Sequence, residues 1–141
     1  MVVGECPARA CLEALAGPTV SFRGRVHDEE TAGLLATCRA LLFCGEEDFG
    51  ITPLEAMASG RPMVAFGCGG ALETVVNGET GIFFREPTVR ALEQGMDDFE
   101  SMEFLPDRCV QKARELGPDR FRAGIHAGGT AVDVVRKKGD Q

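Results

Sequence analysis

Two glutamates with a fixed spacing are the residues of this sequence best suited to carry chemistry. Glu47 and Glu55 are separated by seven residues, and no basic residue stands between Arg39 and Arg61. Glu47 is predicted to lie in a loop and Glu55 one turn into the helix that follows. Because the first N–H groups of a helix have no intrahelical partner and carry positive partial charge, they favour an anion. Two carboxylates that flank such an anion site suit a ligand in which a sugar is joined to a phosphate.

The same residues admit a purely structural interpretation. Thr52-Pro53-Leu54-Glu55 has the form of a capping box, in which the Glu55 carboxylate bonds back to the backbone N–H of Thr52. The acids at residues 46–48 would then form a solvated acidic loop. Residue chemistry alone leaves both interpretations open.

The elements that must position these glutamates alternate between strand and helix. Short apolar runs predict strands at residues 1–3, 20–23, 40–43, 63–66 and 81–84. Helices are predicted at residues 8–16, 28–38, 52–59, 71–76, 88–100, 108–116 and 119–126. This alternation predicts an α/β fold, a parallel sheet with helices on both faces. The run at residues 40–43 lacks polar alternation, which predicts a fully buried strand. Ligands of such sheets bind where the carboxyl ends of strands meet helix N-termini.

Composition limits the partners of the chain. Its 141 residues suffice for one domain, and its net charge of −7 disfavours nucleic acid and anionic membrane surfaces. Apolar runs stay short of the roughly 20 residues that span a bilayer, so we expect no integral membrane segment and a cytoplasmic protein. The six cysteines form no C-x-x-C pair and are predicted to be free thiols, so no metal site is expected.

Four stretches of the sequence carry a more specific pattern. They read V-S-F-R-G-R-V at residues 20–26, A-L-L-F at 40–43, E-D-F-G-I-T-P-L-E-A-M-A-S-G-R-P at 47–62 and G-G-A-L-E-T-V-V-N-G-E-T-G at 69–81. In this order and at these spacings they resemble the retaining family-4 (group 1) glycosyltransferases of GT-B architecture. The resemblance is to the C-terminal, Rossmann-like domain that binds the nucleotide-sugar donor.

The resemblance implies roles for eight residues. Glu47 matches the glutamate that faces the hydroxyls of the donor sugar and is the implied catalytic residue, and Glu55 matches the glutamate that binds the ribose. The family's segment that holds the distal phosphate through backbone N–H groups matches Phe49, Gly50 and Ile51. The loop whose backbone reads the base edge matches Val26, and the glycine pair that lines the donor cleft matches Gly69 and Gly70. Because the family is metal-independent, the resemblance implies neither a metal nor a cofactor.

The family pattern is matched only in part. The resemblance implies a nucleotide-sugar-binding domain at residues 1–126 that lacks its opening strand, and residues 127–141 are predicted to be a disordered tail. The acceptor-binding domain has no counterpart in the sequence. The family's Arg and Lys that offset the diphosphate charge also have none, and Arg25 and Arg61 are the nearest substitutes.

These observations predict the donor-binding portion of a glycosyltransferase that transfers a sugar to a glycan or lipid-linked acceptor and is inactive alone. The alternative is a non-catalytic α/β remnant or interaction module with weak nucleotide binding. Expected partners are a nucleotide-diphosphate sugar and either an acceptor-domain polypeptide or a second copy of the chain. Self-association is expected because loss of an opening strand leaves apolar edges near residues 2–3 and 40–43.

Overall fold

A computed structural model describes residues 1–48 and 50–117. Strands and helices alternate along these residues, as predicted for an α/β fold. In chain order they are β1 (Val2–Val3), α1 (Arg9–Leu15), β2 (Phe22–Arg23), α2 (Asp28–Thr37), β3 (Leu41–Phe43), α3 (Ile51–Ala58), β4 (Met63–Phe66), α4 (Ala71–Thr74), β5 (Gly81–Phe84), α5 (Val89–Glu100) and α6 (Pro106–Glu115). The helix predicted at residues 119–126 and the tail predicted at 127–141 lie outside the described residues.

The strands pair in parallel, which confirms the predicted sheet type, but they form two sheets. β1 pairs with β2, and Val2 is aligned with Phe22. The other sheet has the order β3-β4-β5, in which Leu42 is aligned with Val64 and Val64 with Ile82. The carboxyl ends of β3 and β4 therefore lie side by side, and so do the loops that follow them.

Helices cover both faces of the β3-β4-β5 sheet because β4 alternates its side chains between them. Met63 and Ala65 pack with Met57 of α3 and Cys109 of α6 on one face. Val64 packs with Ile82, Phe84 and Phe99 on the other face, which α5 covers. Met57, Met63, Ala65 and Cys109 have no exposed surface, so this sheet is the hydrophobic centre of the described chain.

The first 34 residues are much less buried than the β3-β4-β5 sheet. Every residue from 1 to 34 is at least partly exposed, and α1 buries none of its side chains. The prediction of a fully buried strand at residues 40–43 is wrong, because Leu42 in β3 is 47% exposed. Among the described residues β3 pairs with β4 alone, so its second edge remains uncovered.

Within residues 1–48 and 50–117, the structure has no helix that is both long enough and apolar enough to cross a membrane.

Candidate functional site

Two loops meet at the carboxyl ends of β3 and β4. The backbone N–H of Gly70, in the loop after β4, donates a hydrogen bond to the carbonyl oxygen of Glu47, in the loop after β3, at 2.7 Å. Gly69 beside it has a φ of +54°, in the left-handed region that favours glycine. The structure thus brings together Glu47, Gly69 and Gly70, which the sequence separates by more than twenty residues.

The glycine pair is what permits this approach. A Cβ atom on Gly70 would lie 2.4 Å from the carbonyl oxygen of Asp48, and one on Gly69 would lie 2.7 Å from that of Glu47. Both distances are far below van der Waals contact, and the atoms that would be struck belong to the backbone. We call this contact of Gly69 and Gly70 with the backbone of residues 47–48 the glycine clamp.

The side chain of Cys68, in the loop after β4, lies beside that of Glu46, in the loop after β3. Hydrogen bonding to Glu46, followed by burial and the negative charge of Glu46, raises the pKa of the Cys68 thiol. Sequence analysis missed the pair, since a cysteine and a glutamate twenty-two positions apart give no signal without the strand register.

The start of α3 differs from the predicted capping box. The helix begins at Ile51, and its N-cap residue is Gly50, which has a φ of +68° and forms no side-chain cap. Thr52 is therefore the second helical residue, and a Thr52–Glu55 capping box is wrong. Glu55 is exposed, and its carboxylate makes no hydrogen bond with another described residue. Phe49, which was predicted to bind phosphate, lies outside the described residues.

A second pair of loops follows β1 and β2. The N–H of Gly4 donates to the carbonyl of Gly24 at 3.2 Å, and the half-buried Val26 lies two residues further along this loop. Within the described part of the chain, no hydrogen bond or ion pair joins these loops to the glycine clamp. The structure therefore brings three of the eight predicted site residues together directly, and Gly50 and Ile51 follow Glu47 at the start of α3.

Comparison with known protein families agrees with this arrangement. The family model described as glycosyl transferases group 1 matches residues 2–116. The chain belongs to the group 1 glycosyltransferases. The match includes both carboxylates, the glycine clamp and every described strand.

Individual group 1 glycosyltransferases and related structures show how much of a whole protein the chain represents. It is 37% identical over 117 residues to an alpha-1,3/1,6-mannosyltransferase of Rhizomucor pusillus, covering 82% of this chain and 25% of that protein. It is 43% identical over 116 residues to the glycogen synthase of Mycobacterium tuberculosis, covering 82% of this chain and 28% of that protein. The sucrose-phosphate synthase of Thermosynechococcus elongatus superposes with a TM-score of 0.64 at 26% identity, over 86% of this chain and 33% of that one. The chain spans about a quarter of the length of the curated relatives.

Arg25 and Arg61 are the basic residues that the sequence offers as substitutes for the family's phosphate-binding Arg and Lys. The Arg61 side chain donates to the carbonyl oxygen of Ala36, and Arg61 precedes β4, at the opposite end of that strand from the glycine clamp. Arg61 is therefore not placed to act as one of the phosphate-binding bases that the resemblance implies. Arg25 is exposed in the loop after β2. Arg9, which the sequence did not single out, is the first residue of α1 and forms an ion pair with Glu13 at 2.8 Å.

The Glu46–Cys68 pair gives the first testable prediction. A carboxylate opposes formation of a thiolate beside it, so Glu46→Gln is expected to lower the pKa of Cys68. Alkylation of Cys68 by iodoacetamide at pH 7.5 should become several-fold faster, and its pH profile should move to lower pH. Peptide mass spectrometry measures both. Cys38, whose thiol pKa is raised by burial, serves as the internal control and should keep its rate. An unchanged Cys68 rate would show that Glu46 does not control this thiol.

Proposed function

We propose that this chain binds a nucleotide-diphosphate sugar, the glycosyl donor, at the edge formed by the loops after β3 and β4. The glycine clamp is the observation that carries the proposal. It fixes the backbone of residues 47–48 between the end of β3 and the start of α3, so that a carboxylate and a helix N-terminus flank one position. The group 1 membership of the chain supports the same assignment.

In this proposal, Glu47 binds the sugar end of the donor. Its carboxylate is exposed, while its carbonyl oxygen is held by Gly70. Ionised carboxylates act only as hydrogen-bond acceptors and can accept from two hydroxyls at once. The backbone is therefore fixed and the side chain is left free to meet the sugar hydroxyls. The Gly69–Gly70 backbone, which has no Cβ atoms, leaves room for the sugar ring beside it.

In this proposal, the N-terminus of α3 binds the diphosphate. Gly50 turns the chain into the helix with a positive φ, and the N–H groups of the first helical turn are unsatisfied by the helix itself. Their positive partial charge offsets the charge of a phosphate. At this end of the helix Ile51 is 68% exposed, whereas Gly50 before it is buried. By the family resemblance, Phe49 contributes a third N–H group.

In this proposal, Glu55 and Val26 bind the nucleoside. Glu55 lies one turn into α3, and its exposed carboxylate is not engaged by another described residue, so it is free to accept hydrogen bonds from both ribose hydroxyls. Val26, in the loop after β2, would then offer its backbone to the edge of the base. No metal or cofactor is proposed, because the helix end and side-chain cations meet the charge of the departing diphosphate in this family.

The reaction we propose is transfer of the sugar to a glycan or lipid-linked acceptor, with these 141 residues inactive alone. A second polypeptide region would supply the acceptor wall of the cleft. The weaker candidate is a non-catalytic module that binds nucleotide. It is favoured by the acidic loop, where residues 46–48 are all exposed acids that repel a diphosphate.

Calorimetric titration with UDP, GDP, ADP and their hexose conjugates tests the donor site. Saturable binding of one nucleotide, made tighter by its sugar, is the expected result. Binding that ignores the sugar would favour the non-catalytic module, and no binding of any of these ligands would refute the donor site.

The role of Glu55 is tested by substitution. Glu55→Gln keeps the size of the side chain and removes its charge. Because hydrogen bonds to charged groups contribute about 1.5–3 kcal/mol, nucleoside-diphosphate affinity is expected to fall about 10- to 100-fold with the melting temperature unchanged. Titration of both proteins with the ribose and the 2′-deoxyribose nucleotide completes a double-mutant cycle.

Two comparisons make the Glu55 result specific. In the cycle, loss of the 2′-hydroxyl should weaken the Gln variant much less than the wild type. Glu93→Gln, at an exposed position on α5, is the matched control and should leave affinity unchanged. If removal of the 2′-hydroxyl weakens binding by the same factor in the wild type and in the Gln variant, Glu55 does not bind the ribose. A lower melting temperature with full affinity would assign Glu55 a structural role.

A further inference from the structure

The turn that leads into β5 contains the single asparagine of the chain, Asn77, and Gly78 follows it directly. Asparagine is chemically labile. It is most labile before glycine, because a residue without a Cβ atom leaves its backbone nitrogen open to attack the neighbouring side chain. Asn77 is exposed, so water reaches its amide. The pair therefore has the sequence and the solvent access that deamidation requires.

Deamidation of this pair has an imide intermediate. The backbone nitrogen of Gly78 forms a bond to Cγ of Asn77, and the side-chain nitrogen departs as ammonia with the proton that the backbone nitrogen gives up to solvent. Water then adds to either carbonyl carbon of the cyclic imide. Addition at Cγ yields aspartate. Addition at the main-chain carbonyl carbon yields isoaspartate, whose main chain runs through Cβ and Cγ and is longer by one carbon atom.

Both reacting groups are held by β5. The N–H of Gly78 donates to the carbonyl oxygen of Gly81 at 2.8 Å. The side-chain oxygen of Asn77 accepts from the N–H of Phe83 at 3.3 Å. The attack requires the Gly78 nitrogen to give up its proton and the Asn77 side chain to turn back onto its own main chain. The two hydrogen bonds oppose both movements, so the reaction requires this turn to separate from β5.

The residues around the pair attach the turn to the central sheet. The N–H of Val76 donates to the hydroxyl of Thr80 at 2.9 Å, and the Thr80 side chain is buried. Gly81 packs directly on β4, since an added Cβ atom would lie 2.3 Å from the carbonyl oxygen of Met63. We call residues 76–81 the Asn77 turn. Its hydrogen bonds break together when the start of β5 leaves the sheet.

We propose that Asn77 is a deamidation site that the packing of β5 protects, and that opening of the Asn77 turn converts the chain irreversibly to a form in which β5 no longer pairs with β4. The modification would thus record each opening that lasts long enough for the attack. It rests on the hydrogen bonds of this turn and does not depend on nucleotide-sugar binding.

The two products differ in their effect on the fold. Aspartate keeps the oxygen that accepts from Phe83, so it fits the turn as asparagine does. Isoaspartate lengthens the main chain within the turn, so the bond from Gly78 to Gly81 and the alignment of β5 with β4 cannot both be kept. Because Ile82 and Phe84 of β5 are buried, a displaced β5 exposes part of the hydrophobic centre.

Comparison of the folded and the unfolded chain tests the site. The full 141-residue chain is incubated at neutral pH with and without concentrated urea, beside a synthetic peptide of residues 73–83. Peptide mass spectrometry follows the loss of asparagine, and enzymatic methylation measures isoaspartate. Asn77 is the single asparagine of the sequence, so every such product comes from this position. Because the reaction of a protected site tracks the population of its open form, the folded chain should react at least about tenfold more slowly than the unfolded chain and the peptide.

Two substitutions at Thr80 identify the turn as the gate. Thr80→Val removes the hydroxyl and leaves the N–H of Val76 unpaired, whereas Thr80→Ser is the matched control that keeps the hydroxyl. The folded Val variant is expected to deamidate about tenfold faster than the Ser variant. Equal rates in the two variants would show that the turn does not control the reaction. The comparison of folded and unfolded wild type needs neither variant, and equal rates there, or a stable asparagine in the unfolded chain, would overturn the site.

The products test the second half of the proposal. After partial deamidation in urea the chain is refolded and treated briefly with protease. Isoaspartate should collect in the digested fraction, and aspartate should remain in the resistant fraction with the parent chain. Asn77→Asp, which carries the aspartate product from the start, should melt close to the wild type. Isoaspartate in the resistant fraction, at the same share as aspartate, would contradict the loss of β5 pairing.

Discussion

Gly70→Ala is expected to destabilise the protein by about 2–4 kcal/mol and to lower its melting temperature by roughly 10 °C or more. The new Cβ atom would lie 2.4 Å from the carbonyl oxygen of Asp48. Because that oxygen belongs to the backbone, no side-chain rotation relieves the clash. The loop after β3 must move, and the 2.7 Å hydrogen bond from Gly70 to Glu47 is lost with it. Differential scanning calorimetry measures the stability, and nucleotide titration should show that binding is lost as well.

Gly33→Ala is the matched control for Gly70→Ala. Gly33 lies inside α2, and an added Cβ would meet nothing within 4 Å. Since glycine within a helix costs about 0.5–1 kcal/mol relative to alanine, this variant should be slightly more stable than the wild type. A Gly70→Ala protein as stable as wild type would mean that the two loops are not clamped as described. A stable variant that has lost nucleotide binding would still support the placement of the site.

Glycosyl transfer by the isolated 141-residue chain is expected to be at least about 10⁵-fold slower than by a full-length group 1 relative, and thus undetectable. Holding donor and acceptor in one geometry supplies about 7–11 kcal/mol of a reaction barrier. The chain spans about a quarter of the length of its relatives, and we propose that another region of polypeptide supplies the acceptor wall of the cleft and further charge for the departing diphosphate.

A radiolabelled hexose donor and a lipid-linked acceptor provide the measurement of turnover. A full-length group 1 glycosyltransferase that uses the same donor and acceptor is the positive control for the assay. A glycoside product above the rate of donor hydrolysis, formed by the 141 residues alone, would contradict the claim that another region of polypeptide is required.

The elements that sequence analysis predicts best are those whose signals are local. The run at residues 63–66 is apolar and lies between Pro62 and Gly67, the run at 81–84 begins with a glycine, and β4 and β5 have the predicted bounds. The run at residues 40–43 reads as equally buried, yet Leu42 is half exposed. Apolar sequence reports what a strand can bury, whereas its burial depends on a neighbouring strand, which no local pattern records.

In the candidate site, too, the features with a local motif were predicted and those that depend on the fold were not. Glu47, Gly69 and Gly70 were predicted from a motif, and the structure supplies a reason for both glycines that is purely steric. The start of α3 was misplaced because Thr52-Pro53 is a strong helix-start signal, but the positive φ of Gly50 begins the helix earlier. Arg61 was placed near the site because it is close in sequence. Its position before β4 puts the length of that strand between it and the clamp, a separation that only the fold reveals.

The absence of any buried side chain before Leu35 bears on how the molecule unfolds. A segment that buries little apolar surface gains little to offset the conformational entropy of its ordered backbone, so it opens at a smaller free energy than the rest. The β1-α1-β2 unit would therefore behave as a separate, weakly stable cooperative unit, while the β3-β4-β5 sheet opens only in global unfolding. Heat absorption would then spread over two transitions, and a protease would first cut within residues 1–34.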